Sequence, residues 1–158
     1  MAKALSMTQL ILIRHGETLW NEQKKYQGHA DIGLSSKGKK NIQALLHRVK
    51  TVGIDCIYTS SLRRARQSAK IISKKLGIKP YIDPRLNELN FGSWEGKTAE
   101  QLIYQKDKNF LSWANGKWKA PQGGESIYSL RRRVREFLKD CLKKHKGKKL
   151  RLFLMVVR

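Results

Sequence analysis

Hydrophobic residues along the chain fall into short continuous runs and longer stretches with helical spacing. The continuous runs at residues 10–13, 56–58 and 150–157 are too short for helices and predict strands. The first run is rich in Leu and Ile, is stopped by charge, and predicts a strand buried on both faces. Residues 80–82 predict a further strand at the edge of the sheet.

Apolar residues at helical spacing occupy the segments between these runs. They predict one helix from about Ser36 and a second that Ser60 or Ser61 caps and Gly77 closes. A weaker helix is predicted over residues 98–114, and a strong one follows residues 121–124. Strands that alternate with helices predict an α/β domain with a mainly parallel sheet, here one domain over residues 1–158.

In a parallel sheet, ligands bind beyond the carboxyl ends of the strands, so chemistry is expected at residues 14–18 and 60–65. Arg14, His15 and Gly16 stand at the exit of the first strand. Imidazole is largely neutral near pH 7 and attacks electrophilic phosphorus, while a guanidinium matches phosphate oxygens. The alternative is a strand-end histidine that hydrogen-bonds to the backbone.

Composition adds a strong positive charge to this picture. The 158 residues include 34 Lys and Arg against 12 acids, a formal net charge of +22, which favours an anionic partner. Cys56 and Cys141 fit neither a disulfide framework nor a zinc site, so a reducing compartment is expected. No apolar run has the length of a membrane span or a signal segment. We expect a cytoplasmic protein with no membrane association, metal or cofactor.

Five sequence motifs, in order, resemble the histidine phosphatase superfamily, the phosphoglycerate mutase-like enzymes. The motifs are LIRHGETLWN at 12–21, QGHADIGLS at 27–35, YTSSLRRARQSA at 58–69, RLNE at 85–88 with FGSWEG at 91–96, and GGES at 123–126. The resemblance covers nearly the whole chain. It implies a three-layer α/β/α fold with a mainly parallel sheet.

The resemblance also assigns roles to residues that match the family's motifs. His15 is implied to be the nucleophile that becomes phosphohistidine, and Arg14 and Arg64 to clamp the phosphoryl group. Glu88 matches the general acid, with a loop carboxylate paired to Arg85 as the alternative. The other implied contacts to phosphate or substrate are Asn21, Gln27, Gly28 and His29. Arg63, His47 and His145 are predicted at the surface.

The same resemblance favours a phosphatase over a mutase. Residues 91–98 and 27–29 look like the phosphatase branch, particularly the α-ribazole-phosphate phosphatases. Mutases of this type usually carry an insertion between the position of Glu88 and the GGES motif, and this chain lacks it. We therefore expect a small phosphorylated metabolite as substrate, with phosphoglycerate mutase-type phosphoryl transfer as the alternative.

One feature of the family has no match in this sequence. The family places a second pocket histidine in a Ser-His-Gly-Gly context after the next core strand, whereas residues 154–157 read Leu-Met-Val-Val. Shifted by one base, TCT CAT GGT GGT becomes CTC ATG GTG GT, which encodes Leu-Met-Val-Val. We hypothesise a frameshifted, C-terminally truncated phosphatase with impaired activity, and a neighbouring frame without a family-like continuation would refute this.

Two alternatives to an active enzyme rest on charge and on length. Residues 131–151 hold 11 Lys and Arg, yet no nucleic-acid motif accompanies them, so only non-specific nucleic-acid binding is expected. A non-catalytic remnant or a basic anion binder is the other alternative. Apolar surface left uncovered by missing elements predicts association, for example into a homodimer.

Overall fold

The computed structural model describes residues 8–145 and the backbone of residues 151–156. The strands are β1 (Gln9–Arg14), β2 (Cys56–Thr59), β3 (Pro80–Ile82) and β4 (Arg151–Val156). They form one sheet in the order β1-β4-β2-β3, and all three pairings are parallel. The last strand along the chain therefore lies between β1 and β2, and the predicted parallel sheet is confirmed.

Six α-helices and two short 3-10 turns connect the strands within the described residues. The helices are α1 (Leu19–Glu22), α2 (Ser36–Val52), α3 (Arg63–Leu76), α4 (Ala99–Tyr104), α5 (Lys108–Ala114) and α6 (Ile127–Lys144). The 3-10 turns are Pro84–Leu86 and Gly92–Trp94. The single helix predicted over residues 98–114 is wrong, because Lys106 adopts φ 51° and the Asp107 carboxylate then caps α5.

Helices cover both faces of the sheet, which confirms the three-layer arrangement. On one face, Ile57 of β2 packs in a cluster with Ile42 and Val49 of α2 and with Ala69 and Ile72 of α3. Helix α6 covers the other face. Strand β2 is fully buried, and its alternate side chains point to opposite faces of the sheet. It therefore contributes residues to the hydrophobic clusters on both faces.

On the second face, Tyr58 packs against Phe137 and Cys141 of α6, with Cys56 beside them. Both cysteines are free and buried. His145 is buried here as well, with its Nε2 2.9 Å from the Tyr58 hydroxyl, so its predicted surface position is wrong. The position follows from docking of α6 on the sheet, which turns its C-terminal end toward β2.

Two further local expectations are wrong. Strand β1 is not buried on both faces: Ile13 packs against the α2–α3 core, but Leu12 is 63% exposed. The reason is that no element within the described residues packs over Leu12. Nor does a serine cap α3, because the Ser61 hydroxyl donates to Asn87. The carboxylate of Asp31 instead accepts the backbone N–H of Arg63 at 2.8 Å.

No helix within the described ranges is both long enough and apolar enough to cross a membrane.

Candidate active site

A cavity of about 580 Å³ opens beside the carboxyl end of β1. Five of the residues singled out by sequence line it, namely Arg14, His15, Asn21, Gln27 and Glu88. Four others in the lining are Lys24, Lys25, Tyr26 and Phe91. The cavity therefore combines a histidine, a carboxyl group and several cations, a set suited to an anionic substrate.

His15 is the buried imidazole of this cavity. Its Nδ1 donates to the carbonyl of Gly16 at 2.7 Å, which leaves Nε2 as the unprotonated ring nitrogen. The backbone contact foreseen as the alternative role thus exists, but it occupies only Nδ1. The pKa of His15 is lowered to about 4, mainly by burial and in smaller part by the charges of Arg64 and Arg14, while the hydrogen bond to Gly16 opposes the shift. The imidazole is therefore neutral near pH 7.

Gly16 allows the backbone that follows His15 to lie close against α2. A Cβ at this position would collide with the backbone carbonyl of Gly38 in the first turn of α2. The Gly16 N–H donates to the hydroxyl of Ser68, which in turn donates to the carbonyl of Arg64. The loop that carries His15 is thereby fixed to both helices on that face of the sheet.

Glu88 faces the cavity from a buried ion pair. Its Oε2 accepts from Nη2 of Arg64 at 2.7 Å, so the pairing with Arg85 considered as an alternative is wrong. Arg85 instead binds Asp83 and Asp140. Burial raises the pKa of Glu88 to about 7, and the neighbouring Arg64 and Arg14 only partly oppose it. This carboxyl group can therefore hold or release a proton near neutral pH.

Arg64 is fully buried and binds protein groups with both terminal nitrogens. Besides Glu88, it donates to the carbonyls of Gly28 at 2.7 Å and Ala30 at 3.0 Å. Nε is buried without a hydrogen-bond partner in the described part of the chain. The guanidinium thus joins the loop of residues 28–30 to the carboxyl group of Glu88. Arg63, the preceding residue, is exposed as predicted.

Asn21 and Gln27 are held by Thr18, the N-cap of α1. The backbone N–H of Thr18 donates to Oδ1 of Asn21 at 3.0 Å, and the Thr18 hydroxyl lies 2.9 Å from Oε1 of Gln27. Because the amide oxygen of Asn21 is used by the cap, its NH₂ group is the part free to donate into the cavity.

His29 and Gly28 lie behind the acid rather than among the residues of the cavity wall. The Nε2 of His29 lies 2.9 Å from the carbonyl of Glu88, and a neutral ring with its proton on Nε2 donates to it. The backbone N–H of His29 donates to the carboxylate of Glu95. His29 thus contacts Glu88 directly and Gly28 contacts it through Arg64, and their predicted role as direct substrate contacts stays a prediction.

Lys24, Lys25, Tyr26 and Phe91 were not identified from the sequence. The first three occupy a tight turn between Asn21 and Gln27, and Lys24 has φ 54°. Tyr26 packs edge-on against Phe91, with ring centroids 5.0 Å apart. The available signal for Lys24, Lys25 and Tyr26 was their position in the sequence. They lie between Asn21 and Gln27, both predicted site residues, so a short turn there has to lie beside the same cavity. These four residues add two cations and an aromatic surface to the lining of the cavity.

The cavity thus brings together a neutral imidazole, a carboxyl group that can be protonated near neutral pH, and several cationic side chains. The imidazole can attack an electrophile, and the carboxylic acid can protonate a leaving oxygen. Within the described residues, no cluster of three or more His, Cys, Asp or Glu side chains could hold a metal ion.

Comparison with known proteins agrees with this geometry. The profile of the histidine phosphatase superfamily (branch 1) matches residues 10–157. The probable phosphoglycerate mutase GpmB of Yersinia enterocolitica is 39% identical over 145 residues, which are 90% of this chain and 67% of that protein. Phosphoserine phosphatase 1 of Hydrogenobacter thermophilus is 34% identical over 140 residues, 88% of this chain and 66% of that protein. The chain thus spans about two thirds of these relatives.

A solved structure extends the likeness to three dimensions. The crystal structure of the alpha-ribazole phosphatase from Shigella flexneri superposes with a TM-score of 0.83 at 31% sequence identity. The superposition covers 93% of this chain and 73% of that one.

Proposed function

The chain belongs to branch 1 of the histidine phosphatase superfamily, a family of enzymes, and we propose that it hydrolyses small phosphorylated metabolites through a phosphohistidine at His15. The observation that carries the proposal is the opposed pair of buried groups. His15 has a pKa of about 4 and is neutral, while Glu88 has a pKa of about 7 and can be protonated at the same pH. Two groups shifted in opposite directions supply a nucleophile and an acid together.

In the first step, Nε2 of His15 attacks phosphorus and the bond from phosphorus to the leaving oxygen breaks. Glu88 gives its proton to that oxygen, so the alcohol leaves neutral. Nδ1 keeps its proton and continues to donate it in the hydrogen bond to the carbonyl of Gly16. In the second step, water attacks phosphorus, the P–N bond breaks and Glu88 accepts a proton from the water. Inorganic phosphate leaves and His15 is neutral again.

Charge on the transferring phosphoryl group is balanced by the cations around the cavity. We assign this role to Arg14, with the amide NH₂ of Asn21 as a further donor. Arg64 contributes through its positive charge and through the hydrogen bond that it donates to the carboxyl group of Glu88.

The test is to trap the intermediate. The protein is mixed with p-nitrophenyl phosphate, quenched in alkaline denaturant and digested, and the phosphoryl group is located by mass spectrometry. We expect it on His15 and expect no adduct in His15→Ala. His47→Ala is the matched control, since His47 is an exposed histidine on α2. Sustained hydrolysis by His15→Ala would refute the proposal.

A slow rate is the second part of the proposal. The sequence holds four histidines, His15, His29, His47 and His145, and only the first lines the cavity within the described residues. The family resemblance implies a second imidazole donor to the phosphoryl oxygens in a Ser-His-Gly-Gly context, and residues 154–157 of this sequence read Leu-Met-Val-Val there. Lack of one such donor typically lowers turnover on the order of a hundredfold.

This part is tested by comparing the chain with a variant in which residues 154–157 are replaced by Ser-His-Gly-Gly. We expect the replacement to raise turnover of p-nitrophenyl phosphate on the order of a hundredfold. Equal rates in the two proteins, with both folded, would show that the missing donor does not limit the reaction.

Phosphoglycerate mutase activity is the second candidate, because the relative with 39% identity is named a probable phosphoglycerate mutase. Both reactions use a phosphohistidine and differ in the acceptor of the phosphoryl group. Phosphorus NMR of a mixture with 3-phosphoglycerate separates them: a phosphatase yields inorganic phosphate, and a mutase yields the isomeric 2-phosphoglycerate. We expect inorganic phosphate.

A further inference from the structure

Arg133 of α6 lies behind the segment that carries Glu88. Its Nη1 donates to the backbone carbonyls of Arg85 at 2.8 Å and Asn87 at 2.6 Å, and its Nη2 donates to the carbonyl of Glu88 at 2.8 Å. Nε and Nη2 also donate to the two carboxylate oxygens of Glu125, at 2.8 and 2.7 Å. These bonds use all five N–H groups of the guanidinium, so none is left for a substrate.

Glu125 fixes this guanidinium and neutralises its charge. Burial raises the pKa of Glu125, but the hydrogen bonds and charge of Arg133 outweigh it and lower that pKa overall. The backbone N–H of Glu125 also donates to the carbonyl of Asn90 at 2.8 Å. The pair is therefore connected to the segment of Glu88 on both sides of that residue, and it acts by geometry rather than by net charge.

We propose that Arg133, oriented by Glu125, is a positioning residue that holds the backbone of Glu88 so that its carboxyl group stays buried against Arg64. The catalytic consequence rests on the proposed function, whereas the structural consequence does not. His29 contacts the same carbonyl, with Nε2 at 2.9 Å. Arg133 and His29 thus bind the backbone of Glu88, whereas Arg64 binds its carboxyl group.

The protonation of Glu88 reports on this restraint. Burial is the main cause of its raised pKa of about 7, while Arg64 of α3 and Arg14 of β1 lower it and Glu95 raises it slightly. When the backbone is released, the carboxyl group gains access to water. Its pKa then falls toward the ordinary value of 4.5.

The structure offers a matched control on the same segment. The side chain of Arg85 also joins this segment to α6, because it donates to Asp140 of α6 at 2.6 Å. It also donates to Asp83, two residues before it in the chain. That bridge is exposed at Asp140 and does not touch Glu88. Arg85→Gln therefore removes a link between the same two elements without releasing the carbonyl of Glu88.

The experiment is a carboxyl titration by NMR on protein labelled with ¹³C at the glutamate δ carbon, with Glu88→Gln used for assignment. We expect Arg133→Gln to lower the pKa of Glu88 by at least about one pH unit. Arg133→Lys should give an intermediate value, because an ammonium cannot make all five bonds. Arg85→Gln should leave the pKa of Glu88 unchanged.

An unchanged pKa of Glu88 in folded Arg133→Gln overturns the inference, and so does an equal fall in Arg85→Gln. Should Arg133→Gln not fold, Glu125→Gln serves in its place, since it keeps the shape of the partner and removes its charge. The same direction of shift is expected there, and no shift overturns the inference.

Turnover provides the second readout. We expect Arg133→Gln to lower kcat about tenfold to a hundredfold with little change in KM, and to move the alkaline limb of the pH profile toward acid. The titration needs no substrate, so an inactive parent protein would refute the proposed function and leave the positioning result standing.

Discussion

Among the residues that the structure describes, two buried clusters of titratable side chains can be compared, and each contains a histidine. The first consists of His15, Arg64 and Glu88 beside the open cavity. The second, called here the tyrosine cluster, consists of Cys56, Tyr58, Cys141 and His145 between β2 and α6. Burial perturbs pKa values in both clusters, and His15 and Glu88 of the first line the cavity.

The direction of each perturbation separates the two clusters. In the tyrosine cluster, burial raises the pKa values of Tyr58 and of both cysteines, so these three groups stay neutral through the physiological range. In the site cluster, burial lowers the pKa of His15 to about 4 and raises that of Glu88 to about 7. A perturbed pKa thus indicates burial, while opposed shifts around a cavity indicate chemistry.

The largest expected effect is that of His15→Ala. Loss of the nucleophile should lower kcat/KM for p-nitrophenyl phosphate by at least about a thousandfold. Binding of inorganic phosphate, measured by calorimetry, should persist because Arg14 remains in the cavity. Tyr58→Phe is the control from the other cluster and should retain the parent activity. Comparable losses in both variants would erase the distinction between the clusters.

Glu88→Gln should have the next largest effect, on the order of a hundredfold in kcat, since general acid catalysis contributes roughly that much. The parent profile of kcat/KM against pH should fall below about 4, where His15 is protonated, and above about 7, where Glu88 is ionised. The glutamine variant should lose the alkaline limb. An alkaline limb that survives in this variant assigns that ionisation to another group.

The pH dependence of stability tests the two shifts without any substrate. The folded-state pKa of Glu88 is raised from 4.5 to about 7, so its contribution is present below pH 4.5 and is lost as pH rises to 7. The folded-state pKa of His15 is lowered from 6.5 to about 4, so its contribution is present above pH 6.5 and is lost as pH falls to 4. Between pH 4.5 and 6.5 the two slopes cancel.

Single substitutions should expose the cancelled slopes. From pH 4.5 to 6.5, the unfolding free energy of Glu88→Gln should rise, relative to the parent, by about 3 kcal/mol, and that of His15→Gln should fall by a similar amount. Urea unfolding at several pH values measures both. Slopes of the same sign in the two variants would contradict the opposed shifts.

The smallest effect is expected in the tyrosine cluster. Tyr58→Phe removes the hydroxyl that lies 2.9 Å from Nε2 of His145 and should lower the unfolding free energy by about 1 kcal/mol. Activity should be unchanged, because Tyr58 lies on the face of the sheet covered by α6. A loss of activity without a loss of stability would connect this cluster to the site.

Much of the fold and part of the site could be predicted from local patterns. The four strands and the helices α2, α3 and α6 follow from periodicity, and the left-handed Gly77 ends α3 as expected. His15 was identified because it follows the first strand, and Glu88 because residues 85–88 resemble a motif of the family. The turn of Lys24 to Tyr26 was missed, since its residue types resemble any exposed basic turn.

The sequence by itself determined the alternation of strands and helices, and it determined which segments leave the carboxyl ends of the strands. Only the tertiary structure decided the partners: Arg64 for Glu88, Asp31 for the start of α3, and Arg133 for the carbonyl behind the acid. These pairs are separated by 24, 32 and 45 residues. The physical reason is that periodicity reports the face of one element, whereas burial, pKa and hydrogen bonding depend on what another element brings to that face.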